Sequence, residues 1–242
     1  MWNDINPQTT TPLFAIAQTA TAATLTANNT TAGITYKNNG INGLPTLSFF
    51  DSTAFRRLIL SSLYSTTAPT ATVHTNVIAA VPAVTNNAST IFVVFNDFSI
   101  GNEGIINNGG GDTTTATDGF GIFKYYSATG VKVLNETTFI FDSPTTNKIP
   151  QIICVTTSGF STLSTITQYV NGKAGASLTS SLTVDALSPT EFWISRGATN
   201  AGVLSSFRGH ISEVIMFDVV LKSSDRISVM SYLGKKYGLV VK

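Results

Sequence analysis

The apolar positions of this chain fall into short runs separated by turn residues. Ser89-Thr-Ile-Phe-Val-Val-Phe95 is an unbroken stretch of β-branched and aromatic side chains, the pattern of a central strand buried on both faces. Ile41-Asn-Gly-Leu-Pro45 makes a turn into Thr46-Leu-Ser-Phe-Phe50. Gly121–Tyr126, Thr138–Phe141, Ile149–Thr157, Ser164–Val170 and Phe192–Ile194 read as further strands. Asn171-Gly172 is a strong two-residue hairpin signal, because both turn positions need positive φ. Residues 8–35, rich in Thr, Ala and Asn, read as loops or irregular edge strands, and Asn107-Asn-Gly-Gly-Gly-Asp112 as a flexible loop. Short strands spaced by turn signals predict a β-sandwich or barrel. With no internal repeat and no dividing linker, the whole of residues 1–242 is expected to form one domain.

The closing segment differs. From Phe207 to Phe217 both parities carry apolar groups, with Ile211, Ile215 and Phe217 on one face and Val214 and Met216 on the other, which predicts a central strand. Glu213, on the Ile211 parity, is expected to be a hydrogen-bonded or rim carboxylate. A helix follows, with Ser223 or Ser224 as its expected N-cap. Asp225 in the first turn and Lys235-Lys236 in the last suit the helix dipole. Val229, Met230, Leu233 and Tyr237 form its apolar stripe, and Gly238 occupies the C′ position.

Composition narrows the classes of function. The chain is 43% hydrophobic and only 11% charged, with 14 Lys+Arg against 13 Asp+Glu and a net charge of +1. No basic field exists to hold nucleic acid, so no nucleic-acid partner is expected. The neutral Thr/Asn/Ser/Gly-rich surface suits close packing beside neighbours. Cys154, the single cysteine, lies in an apolar run and reads as a buried core residue. The N-terminus, Met1-Trp-Asn-Asp-Ile5, lacks the features of a secretory signal peptide. Val77–Val84, the longest apolar run, is short and broken by Pro82, so no membrane insertion is expected.

Several segments together carry a family resemblance. Phe207-x-Gly209-x-Ile211-x-Glu213-Val-Ile215-x-Phe217, followed by Leu221, Asp225-Arg226 and Ser231-Tyr-Leu-Gly-Lys-Lys-Tyr-Gly238, resembles the C-terminal signature of concanavalin A-like lectin/glucanase domains of the LamG-like jelly-roll type. Trp2-Asn-Asp4, Asn42-Gly-Leu-Pro-Thr-Leu-Ser-Phe-Phe-Asp51, Gln168-Tyr-Val-Asn-Gly172 and Phe192-Trp-Ile-Ser-Arg-Gly197 match earlier family segments in order. The resemblance implies an all-β, two-sheet antiparallel sandwich closed by a C-terminal α-helix. The chain departs from the family pattern in having Ile5-Asn-Pro7 after Trp-x-Asp and Ser52 after Phe-Asp. Members also carry a strand ahead of Trp-x-Asp; its lack here implies a free sheet edge open to strand addition.

Chemistry is harder to place. A glycosidase on this fold needs two carboxylates flanking the scissile bond. Glu103, Glu136, Glu191 and Glu213 are isolated, and Asp97 and Asp218 have no acidic neighbour at i+2, so no catalytic residue is assigned and no enzyme is expected. His74 and His210 are too few and too scattered for a zinc site, and His210 reads as a satisfied strand histidine. The resemblance implies rim-loop calcium, for which Asp112 and Asp118 are the candidate ligands; no other cofactor is expected. It also implies glycan contacts through aromatic platforms and Asn/Asp side chains in rim loops, for which Trp2, Asn107, Asn108 and Asp112 are the candidates.

Two readings of function follow. In the first the protein is a non-catalytic structural or adhesion protein, a virion decoration, spike or fibre subunit, whose partners are copies of itself or other surface proteins, with glycans as a further ligand. The alternative is a carbohydrate-binding module of a cellular or secreted protein. Both place it on a virion or cell surface.

Overall fold

In the computed structural model of the chain, the described residues are 2–3, 14–19, 34–49, 56–61, 89–98, 103–107, 119–125, 128–134, 139–144, 148–158, 164–180, 192–195, 207–217 and 219–242. They form fifteen strands and a C-terminal helix. The strands are β1 (Trp2–Asn3), β2 (Phe14–Thr19), β3 (Ile34–Ile41), β4 (Leu44–Phe49), β5 (Arg56–Ser61), β6 (Ser89–Asp97), β7 (Glu103–Asn107), β8 (Gly119–Tyr125), β9 (Ala128–Leu134), β10 (Phe139–Pro144), β11 (Gln151–Thr157), β12 (Ser164–Val170), β13 (Lys173–Ser180), β14 (Phe192–Ile194) and β15 (Gly209–Phe217); the helix is α1 (Ser223–Tyr237). Hydrogen bonding groups the strands into an eight-stranded sheet, β1-β2-β5-β14-β7-β8-β9-β10, and a seven-stranded sheet, β13-β12-β11-β6-β15-β4-β3. The seven-stranded sheet is antiparallel throughout. β1, β5, β7 and β9 were not anticipated from the pattern, and Asn107, expected to open a flexible loop, is the last residue of β7.

The apolar run expected to be central is β6, the middle strand of its sheet, and eight of its nine residues are buried. β11, which pairs with it from Gln151↔Phe95 to Thr157↔Ser89, is buried at every position. Asn171-Gly172 forms the expected hairpin, and the turn expected at Ile41–Pro45 proves to be a hairpin as well. Asn42 and Gly43 (φ 48 and 83) join β3 to β4, and Asn171 and Gly172 (φ 48 and 86) join β12 to β13.

The helix lies across one face of the seven-stranded sheet. Its Met230, Leu233 and Tyr237 pack with Ile41, Phe92, Val94, Ile152 and Cys154, while Val229, Leu221, Ile215 and Phe217 complete the cluster. The apolar stripe read from the sequence is therefore the contact face, and its burial holds α1 in place. Gly238 adopts the left-handed conformation (φ 63) as expected of the C′ residue. The N-cap is a correction: Lys222 occupies it, with no side-chain cap hydrogen bond, and neither Ser223 nor Ser224 caps. The entry to the helix is instead set by Thr90, whose Oγ1 donates to the Val219 carbonyl (2.8 Å) and accepts from the Leu221 N–H (2.9 Å).

The expected alternation along β15 also needs correcting. β15 lies between β6 and β4, as a central strand should. A bulge falls between Ile211 and Glu213, where the register on β6 shifts from Ile211↔Phe95 to Glu213↔Val94. One extra residue reverses the side-chain parity. Ile215 and Phe217 thus face the helix, whereas Ile211 is fully buried on the opposite face, beside Phe95. Glu213 turns to the helix side, where its Oε2 accepts from Lys236 Nζ (2.8 Å) and from the Tyr237 hydroxyl (3.0 Å).

Candidate functional site

The helix covers only part of its sheet face. Beyond its C-terminal end the face changes from apolar to polar. Register places Thr35 (β3), Ser48 (β4), His210 (β15) and Asn96 (β6) side by side in one row across four strands. Directly paired residues share a face, so all four point to the helix side, and the row spans about 14 Å. Lys37 follows Thr35 on the same face, opposite Thr46. Thr35 and Lys37 at the sheet edge are exposed, Asn96 and His210 are half-buried, and Ser48 is fully buried.

His210 is in ring contact with Phe98, edge-on at 4.7 Å between centroids. Burial, reinforced by the Lys37 charge, holds its imidazole below the usual histidine range. The neutral ring offers one donor and one acceptor. Ser48 Oγ and Asn96 Oδ1 are both buried and have no hydrogen-bond partner among the described residues. A solvent-excluded polar atom without a partner is costly; Ser89 Oγ, Gln151 Oε1 and Ser212 Oγ elsewhere in the same sheet share the condition.

Nearby polar groups are committed to structure. Glu103, 1% exposed at the start of β7, accepts from the Arg208 backbone N–H (2.9 Å) and from its Nε (2.7 Å), tying the two sheets together. Ser195, after β14, holds φ 69 and donates from Oγ to the Phe207 carbonyl (3.3 Å). Glu213 is engaged by α1, as the hydrogen-bonded reading of it anticipated. Burial, with the Glu213 carboxylate adding to it, pushes the Tyr237 phenol up. Cys154 is buried, and desolvation raises its thiol to about 12, which suits a core residue and no nucleophile.

The ligand residues expected from the sequence lie elsewhere. Trp2 is in β1, the edge strand of the eight-stranded sheet, and Asn107 ends β7. Three strands intervene, a separation of about 19 Å. Asn107 is also at the opposite end of β7 from Glu103, about 14 Å away. Asn108, Asp112 and Asp118 lie outside the described residues, as does the loop between them. Among the described residues no three His, Cys, Asp or Glu side chains gather as a metal site. The polar row went unread because its members come from distant segments. The one local signal was polar Asn96 two residues after Val94, where the apolar parity of β6 would otherwise continue.

No protein-family model and no curated protein matches this sequence. Solved structures do resemble the fold. The CBM40 module of Ruminococcus gnavus IT-sialidase, bound to α2,3-sialyllactose, matches with a TM-score of 0.50 at 14% identity, covering 60% of this chain and 84% of that one. The binding domain of botulinum neurotoxin DC, in complex with rat synaptotagmin II, matches at 0.54 and 11% identity, over 90% of this chain and 47% of that one. A mutant of Trypanosoma rangeli sialidase displaying trans-sialidase activity matches at 0.57 and 13% identity, over 94% of this chain but 30% of that one. None of these three is a virion protein. Nor do they single out the concanavalin A-like or LamG-like family. At such identities the likeness is one of fold alone.

Proposed function

We propose that this chain is a non-catalytic glycan-binding module of a cellular or secreted protein, acting at a cell surface and built as a two-sheet sandwich of concanavalin A-like, LamG-like type. The observation that carries this reading is its likeness in fold to a CBM40 module whose structure holds sialyllactose. The ordered sequence motifs, from Trp2-Asn-Asp4 to the closing strand and helix, support the finer family reading. The isolated carboxylates support a binding role over hydrolysis. The loop of residues 107–118 remains the proposed rim site, with Asp112 and Asp118 as proposed calcium ligands; a melting temperature raised by Ca²⁺ and lowered by chelator is the expected result. The test of the whole reading is a glycan array followed by calorimetry on the purified chain. Saturable binding to one glycan class is expected, and no binding to any glycan at millimolar concentration overturns it.

A further inference from the structure

We propose that residues 239–242 act as a clasp: Val241, seated between Gly172 and Gly234, holds the C-terminal half of α1 down on the seven-stranded sheet, and its release lets that half lift while the sheet stays folded. The device is independent of the glycan-binding reading.

Gly234 is buried inside α1, although glycine is a poorer helix former than alanine. A Cβ built on it would lie 2.5 Å from Val241 Cγ2 and 2.9 Å from the Leu239 carbonyl oxygen. One built on Gly172 would lie 2.6 Å from Val241 Cγ1. The two methyl groups of Val241 thus fill the space that side chains at two distant positions would need, and the glycines are the walls of its seat. Backbone bonds fix the segment on both sides of that seat. The Leu239 N–H donates to the Gly234 carbonyl (2.8 Å), and the Lys242 N–H donates to the Asn171 carbonyl (2.8 Å). Asn42 Nδ2 donates to the Tyr237 carbonyl (2.6 Å), so both Asn-Gly turns hold the same end of the helix. Leu239 and Val241 pack against the core cluster, whereas Val240 between them is 78% exposed. The rest of α1 has the layout of a hinged cover. Its entry is fixed by the two Thr90 bonds, about 22 Å from its C-terminal end for a helix of 15 residues. Its N-terminal half is further held by Arg226, whose guanidinium lies over the Tyr169 ring (3.9 Å to the centroid), and Tyr169 is the cross-strand partner of Cys154. The helix pairs with no strand, so lifting its far half breaks no cross-strand hydrogen bond. A clasp on the same chain acts at high effective concentration, so one side chain and two backbone bonds suffice to close it.

The experiment is hydrogen exchange followed by NMR on the full chain, as wild type, Val241→Asp, Gly234→Ala and Val240→Asp, at several low urea concentrations. In Val241→Asp the amides of residues 233–237 should exchange about 30-fold faster than in the wild type, as for the lost burial of one valine side chain. In every protein they should exchange ahead of the β6 amides and with little urea dependence, the mark of a local opening that exposes little surface. Gly234→Ala should speed them as well, although alanine is the better helix former, because its methyl group displaces Val241. Val240→Asp should leave them unchanged. Cys154, under the half of the helix that stays down, should react with an aromatic disulfide no sooner than β6 exchanges; earlier reaction overturns the partial lift. Equal protection and equal urea dependence in α1 and β6 mean that the helix moves only with the whole fold, which overturns the clasp. Slower exchange in Gly234→Ala means that the tail does not fill the space beside the helix, with the same consequence. Acceleration by Val240→Asp as large as by Val241→Asp assigns the effect to charge on the tail and overturns the seat. Gly234→Ala, which removes no core side chain, decides the matter if Val241→Asp does not fold.

Discussion

The Asn171-Gly172 turn tests how the C-terminal tail is held, and Gly172→Ala is the informative change. Gly172 sits at φ 86, and a Cβ built there falls inside contact distance of the Lys242 carbonyl oxygen and lies 2.6 Å from Val241 Cγ1. The Lys242 N–H also donates to the Asn171 carbonyl at 2.8 Å, so the tail rests directly on the turn. Two separable costs follow. A non-glycine residue in the left-handed region costs about 1–2 kcal/mol. Forcing a methyl group into packed atoms costs about 1–3 kcal/mol more. The substitution should therefore destabilise the full chain by about 3 kcal/mol. In a chain lacking Val241 and Lys242 only the backbone cost remains, so the same substitution should cost about 1 kcal/mol. Urea denaturation of the four proteins, fitted with a common slope, measures the coupling as a double-mutant cycle. Equal costs in the two backgrounds, within about 0.5 kcal/mol, would refute tail docking on this hairpin.

Other outcomes follow from the packing and the titrating groups. Leu233→Ala, at a position with no exposure in the cluster beneath the helix, should lose about 3 kcal/mol in the same denaturation assay. Glu103→Ala leaves the Arg208 N–H without its acceptor while the half-exposed guanidinium regains water; about 2 kcal/mol of destabilisation is expected by thermal or urea melting. His210 is held below its unfolded value, near 6.5, so its contribution is complete above about pH 6.5 and is lost as pH falls through the folded value. Melting temperature should accordingly fall on acidification through that window, and His210→Gln should flatten the fall. Cys154 should resist thiol reagents in the native protein and react at the rate of unfolding, measured by absorbance with an aromatic disulfide.

The parts of the fold that local pattern could specify are the parts that were legible. β6 was readable because a run of β-branched and aromatic residues has few other homes. The Asn171-Gly172 hairpin and the turn at Asn42-Gly43 were readable because Asn-Gly supplies positive φ at adjacent positions without strain. The helix stripe and Gly238 were readable because each rests on spacing along one segment. The N-cap was missed because Thr90, 131 residues before Leu221, holds the helix entry. No local pattern contains that bond.

Sequence alone thus settled the strand-rich class, the closing strand and helix, and the buried state of Cys154, since each follows from the polarity of neighbouring positions. Tertiary structure decided which strands are neighbours and which face each presents. The bulge between Ile211 and Glu213 shows why: a single extra residue moves Ile211 to one face and leaves Ile215 on the other, though their spacing along the chain is even. The polar row depends on the same kind of information. Thr35, Ser48, Asn96 and His210 become one surface only because β3, β4, β15 and β6 pair in that order, and cross-strand register is set by the packing of the whole sheet.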